Sequence, residues 1–347
     1  MQRPGARCVA LFVAFTCAAI DATARTVTDI ANRTVELPEV VKRVADPWHA
    51  NNAIVFMLGG ADRIVATSNQ AARQPWLKRL YPPIEAVPVA FSEAGDANIE
   101  TLAAARPDVI LMAYGGTPPR WLPKADALHI PVVLMPNTSL ADLKTTALMT
   151  GQVLGGDSLQ RASEFVRYFD ANIARVERVT SAIPASERVK VLHTASNGVF
   201  SVDGRDTLVD DWIRVAGGVN AATVTGNIRT VSIEQILAWN PDVIIVGNAT
   251  NDSGRRQILD DPRWREVKAV REGRVYTNPV GAYLWDRHSA ESALQVLWAA
   301  KTLYPSRFAD LDIERETREF YARFFRYALS PAELRSILEA TPPPFHP

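Results

Sequence analysis

The chain has 347 residues, 47% of them apolar, and its 38 basic side chains are balanced by 38 acidic ones. That length suits about two domains, and the apolar content excludes a disordered chain. Zero net charge removes the field that nucleic acid or an anionic membrane would need, so no nucleic-acid partner is expected. The N-terminus carries Arg3 and Arg7 without an acid, then an apolar stretch from Val9 to Ile20, then Ala22-Thr23-Ala24. This order predicts a cleavable signal peptide over 1–24, its apolar core too short to span a bilayer. Cys8 and Cys17 would leave with it. The mature chain would then have no thiol for disulfides, thiolate metal sites or a cysteine nucleophile, which suits a periplasmic location.

Further along, Ile64–Ala66, Val109–Met112 and Val132–Met135 read as short buried strands, and a 25–154 α/β lobe is expected. Leu159, Ala162, Phe165, Val166, Phe169, Ile173 and Val176 then recur at three- and four-residue steps. They predict one long helix from about Asp157 to Ile183, roughly 40 Å at the helical rise, within a bridging segment 155–184. Val189–His193, Val243–Val246 and Val275–Thr277 predict strands of a second lobe, 185–347. Helical patterns over Thr317–Tyr327 and Pro331–Leu338 close the chain before the prolines 342–344.

Residues 98–114, NIETLAAARPDVILMAY, and 232–248, SIEQILAWNPDVIIVGN, share seven identical positions. Each copy predicts a short helix, a stop before proline, and an unbroken apolar strand of the kind that parallel sheets cover on both faces. Two copies are too few for a solenoid. They fit two α/β lobes of similar design.

The chain resembles the periplasmic binding proteins for iron-siderophores, haem and cobalamin. The resemblance rests on the two repeat segments, on VKRVA at 41–45 and LGGADRIVATS at 58–68, and on DTLVDDWIRVAGGVNAA at 206–222 and VREGRVYTNP at 270–279. It implies two Rossmann-like lobes joined by one rigid helix, with a ligand cleft between them. It also implies a monomer that delivers a small-molecule metal chelate to the permease dimer of an ABC importer. Ferric siderophore leads, with haem, cobalamin and a nickel or cobalt chelate open. In this family a glutamate on each lobe pairs with arginines of the permease, and the matching positions are Glu100 and Glu234. Both also suit the first turn of a helix capped by Asn98 or Ser232.

Cleft ligands are expected on loops that follow strand ends. One loop runs from Asp46 to Asn52 and offers Trp48, His49 and Asn51. The other runs from Gly281 to His288, leads into a helix near Ser289, and offers Tyr283, Trp285, Arg287 and His288. The aromatics could lie against a flat chelate, Arg287 could pair with anionic groups, and His49 and His288 could complete the coordination of a chelated metal. Trp285 and His288 equally suit packing of the last helix, and Asp286-Arg287 a local ion pair. Tyr114 and Asn248 end the two repeat strands toward the cleft, and His193 reads as a strand-end histidine with a satisfied hydrogen bond.

No phosphate loop, nucleophile elbow, dinucleotide fingerprint or HExxH occurs, so no enzyme and no cofactor is expected. Asp286, His288 and Ser289 supply triad residue types in adjacent positions, but a working triad is assembled in space and adjacency says little about it. A secreted metal-dependent hydrolase is one rival reading. A sensing or scavenging receptor of the same fold is another. A bare-metal binding protein, which would fix its ion with three or four histidines and carboxylates, is a further rival, but His346 of the five histidines lies in the proline tail and no His-rich loop occurs.

Overall fold

The computed structural model describes residues 25–92, 95–195, 198–247 and 252–344. The signal-peptide expectation, both cysteines and Asn248 lie outside these residues. The described chain opens with a hairpin, β1 (Arg25–Thr28) and β2 (Thr34–Leu37). The first sheet contains β3 (Val44–Asp46), β4 (Ile64–Ser68), β5 (Val89–Phe91), β6 (Val109–Ala113) and β7 (Val132–Met135). They are all parallel, in the order β5-β4-β3-β6-β7. The second sheet contains β8 (Lys190–Thr194), β9 (Ser201–Val202), β10 (Val219–Asn220), β11 (Arg229–Thr230), β12 (Val243–Val246) and β13 (Val275–Thr277). Its order is β11-β9-β8-β12-β13, with β10 pairing β8 and with β9 and β11 antiparallel to their neighbours. The three shortest strands, two residues each, are too brief to leave a periodic trace in the sequence.

The apolar runs are explained by burial on both faces. In β6, Val109 and Leu111 join the central core while Ile110 joins an outer cluster. In β12, Val243 and Ile245 face the central core, and Ile244 and Val246 face the outer cluster of the second lobe. This is the alternation of a pleated strand with no wet side.

The helix Asp157–Thr180 lies between the lobes. Ala162, Phe165, Phe169 and Val176 bury one face of it in the central core, which is continuous from the first lobe to the second. Gly155 and Gly156, both at positive φ, turn the chain out of the preceding helix, Leu140–Leu154. The two helices pack closely at Gly151, where an added Cβ would sit 2.7 Å from the Cβ of Ala162.

The repeat has a concrete structural role. The helices Ile99–Ala105 and Ile233–Trp239 each end on a left-handed residue, Arg106 or Asn240, before the proline. The shared aspartate then ties the lobe's leading strand: Asp108 accepts the N–H of Lys42 and Arg43 at 2.7 and 2.9 Å, and Asp242 accepts that of Lys190 at 2.8 Å.

The last helix, Pro331–Leu338, matches its sequence pattern, but the helical pattern over Thr317–Tyr327 is not one regular helix. Ile313–Phe320 is α-helical, opens into a π-turn at Tyr321–Phe325, and ends on left-handed Arg326. Among the described residues no helix is long and apolar enough to cross a membrane.

Candidate functional site: the cleft between the lobes

In parallel sheets every strand delivers its C-terminal end to the same edge. In the first lobe those ends bring Trp48, Ser68, Phe91 and Met112 around a recess of about 160 Å³. Trp48, His49 and Gln70 also line the larger space between the lobes, about 430 Å³. Its opposite wall is built by Leu208, Asn227, Tyr283, Arg287 and His288.

The first loop is shorter than expected. The chain turns helical at His49, and His49–Met57 is a nine-residue helix with Trp48 at its N-cap. Buried Asp46 causes this: its Oδ1 accepts the N–H of Trp48 at 3.1 Å and its Oδ2 accepts the Asn51 amide at 3.1 Å. Asn52 donates to the carbonyls of Asp46 and Trp48, and Thr67 donates to Asn52. Burial raises the Asp46 carboxyl well above its usual range, against the bonds from Asn51 and Trp48. The helix starts without a side-chain cap bond, and His49 and Ala50 at its positive end line the cleft.

The second loop is likewise built on a buried acid. Glu291 Oε1 accepts the Tyr321 hydroxyl at 2.7 Å, and Tyr321 in turn accepts the N–H of Ala282 at 3.0 Å. Burial pushes the Glu291 carboxyl up to about 7, these bonds notwithstanding. Because Ser289 and Glu291 are spent on this turn, the following helix begins at Ser292 rather than near Ser289.

Across the cleft the lobes meet through two pairs of rings. Trp48 lies 4.7 Å from His288, and His49 lies 5.0 Å from Tyr283. Burial drives the His288 imidazole down to about 3, with Asp142 of the first lobe opposing, and drives His49 down to about 4. Both rings are therefore neutral at pH 7. Neither nitrogen of His288 meets a hydrogen-bond partner among the described residues.

Several expected contacts lie elsewhere. Asn51 is fully buried, its amide held by Asp46 and Thr150, so it shapes the loop rather than lining the cleft. Trp285 is also fully buried, within the central core. The Tyr114 hydroxyl donates to the carbonyl of Gly116, and Met112 and Ala113 form the cleft wall at that strand end instead. Asn248 lies outside the described residues. Glu100 and Glu234 are exposed on the two lobes, in the first turns of helices capped by Asn98 and Ser232.

Arg287 is not in a simple local pair. Its Nη2 donates to Asp203 Oδ2 at 2.8 Å, while Asp286 Oδ2 stands 3.8 Å from Nε. Both acids flank His193, with Asp203 2.9 Å from Nδ1 and Asp286 2.8 Å from Nε2. All three are fully buried, and Asp286 also borders the cleft. The hydrolase residue types do not assemble: the Ser289 hydroxyl donates to Glu291, and the His288 ring does not reach it. Among the described residues no group of three or more His, Cys, Asp or Glu is placed to hold a metal ion.

Two α/β lobes, one connecting helix and a polar cleft at converging strand ends define a solute-binding protein. The chain belongs to the periplasmic binding protein family, whose model matches residues 49–280, the binding components of ABC importers. It is 27% identical over 332 residues to the molybdate-binding protein MolA of Haemophilus influenzae, covering 88% of this chain and 92% of that protein. The structure of a periplasmic solute-binding protein from Veillonella parvula superposes with a TM-score of 0.80 at 28% identity, over 91% of this chain and 97% of that one. The molybdate-bound MolA structure superposes with a TM-score of 0.78 at 25% identity, over 88% and 99%.

Proposed function

We propose that this chain carries a compact, anionic, metal-bearing solute through the periplasm, held between Trp48 and His49 on one lobe and Tyr283, Arg287 and His288 on the other. The observation that carries this reading is the crossed contact of the rings. A flat macrocycle sandwiched between the lobes would need facing rings roughly 7 Å apart, twice the usual contact distance. The rings here stand 4.7 and 5.0 Å apart and are each other's partners. A compact species can instead sit beside them.

The chemistry of the wall suits an anion. Arg287 supplies charge, the uncapped start of the helix His49–Met57 supplies its positive end, and two neutral imidazoles each supply an N–H donor. The likeness to a molybdate-binding protein over most of both chains points the same way. A tetrahedral oxyanion or a small carboxylate chelate of a metal has the size and charge; a ferric siderophore, haem or cobalamin requires the ring pairs to part. Delivery would follow by docking of Glu100 and Glu234 onto a permease, which a sensing or scavenging receptor would not need.

Titrating the mature protein with molybdate, tungstate, ferric citrate, haemin and cobalamin while following tryptophan fluorescence tests this. Saturable quenching by one of the compact anions, and none by haemin or cobalamin, is the expected result. Tight binding of haemin or cobalamin with no response to the small anions would overturn it.

A further inference from the structure

Beneath the cleft wall, His193 at the end of β8 is enclosed by charge. Asp203 faces Nδ1 and Asp286 faces Nε2, at 2.9 and 2.8 Å. Arg287 reaches the same Asp203 oxygen, the Trp212 and His193 rings stand nearly perpendicular with centroids 5.8 Å apart, and Gly247 closes the remaining side. An imidazole with a carboxylate oxygen at each nitrogen satisfies both only when both nitrogens carry a proton. Asp203 is in no position to lend one. Burial raises its carboxyl, but the His193 and Arg287 contacts outweigh that and hold it far below its usual range.

The charge count gives the proton a use. Two carboxylates and one guanidinium leave the buried group at −1, and an imidazolium brings it to zero. Without that proton Arg287 stands behind two acids, and the wall it contributes to the cleft repels an anion. With it, one acid is neutralised by His193, and the guanidinium, whose Nη1 is used in neither contact, keeps its charge for the solute. Asp286 also belongs to the ligand loop itself, so the same bond fixes the loop's position.

We propose that His193 is a positioning residue, held as an imidazolium between Asp203 and Asp286 so that Arg287 presents its positive charge to an anionic solute. This rests on the reading of the cargo as an anion. It also implies a pH dependence. Burial works against the charged ring, yet the bonds and charges of the two aspartates prevail and raise its affinity for the proton. Anion binding therefore persists through the ordinary imidazole range and weakens only above it.

The test uses the full mature protein, molybdate as probe, and two variants. His193→Gln leaves the group at −1, whereas His193→Gln with Asp286→Asn restores it to zero. The single variant is expected to bind at least roughly tenfold more weakly, and the double variant to recover most of that loss. A thermal melt of each checks folding, and nitrogen-15 spectra of the wild-type ring report its protons directly. A single variant that binds like the wild type, a folded double variant no better than the single, or a ring with one proton at neutral pH overturns the assignment. If the wild type binds none of the compact anions, the cargo reading has failed. The spectra alone then decide whether His193 is the buried cation, two ring protons sustaining it and one refuting it.

Discussion

The indole of Trp48 and the imidazole of His288 lie 4.7 Å apart, centroid to centroid, with Trp48 contributed by the first lobe and His288 by the second. His288 is the more exacting partner, because it is buried and neither of its nitrogens is bonded among the described residues. A buried polar group left in that condition costs roughly 1–3 kcal/mol, which a ligand able to bond it would return.

Replacing His288 with alanine is therefore expected to weaken solute binding by at least roughly tenfold with little loss of stability at neutral pH. The acid limb should improve. Unfolded, the ring takes a proton near 6.5, but folded only near about 3, so the unfolded state binds more protons in between and stability falls as pH drops. At pH 5 the variant should be spared roughly 2 kcal/mol of that loss. Titration calorimetry and denaturant melts at pH 5 and 7.5 check both halves.

Gly247 has no room for a side chain. An added Cβ would stand 2.3 Å from Asp286 Oδ2 and 2.7 Å from the His193 ring. Gly247→Ala should push Asp286 off His193, destabilise the fold by roughly 1–3 kcal/mol, and weaken solute binding more than the melt alone accounts for. Equal affinity in a folded variant would show that the position of Asp286 is unimportant to the cleft.

Glu291 provides a second pH signature. Folded, its carboxyl keeps a proton up to about 7; unfolded, only to about 4.5. The folded state thus binds more protons across that window, and stability falls as pH rises through it. Glu291→Gln removes the slope and should gain on the wild type by up to roughly 3 kcal/mol between pH 4.5 and pH 7. Parallel wild-type and variant stability curves over that interval would refute this.

Glu100 and Glu234 are exposed carboxylates at matching places in the two lobes. Reversing both to arginine is expected to abolish uptake in cells while leaving solute affinity in solution unchanged, since neither lines the cleft. Docking by matched charges governs encounter and orientation more than raw affinity. Uptake that survives the double reversal would remove the docking role.

What the sequence determined by itself was whatever depends on neighbours along the chain. The helix Asp157–Thr180 follows from apolar spacing on one face, and β6, β7 and β12 from unbroken apolar runs. The duplicated helix-Pro-Asp-strand unit follows from residue identity, and it announced two lobes. The tertiary structure alone decided which side chains of the two loops reach the cleft. Asn51 and Trp285 carry the same chemistry as ligand residues but are turned inward, by Asp46 in one case and by the core in the other. His193 read as an ordinary strand-end histidine because Asp286, which makes it part of the site, lies 93 residues away. Periodicity reports which face of an element is buried. It does not report which distant charge is buried with it, and in this cleft that pairing sets the electrostatics.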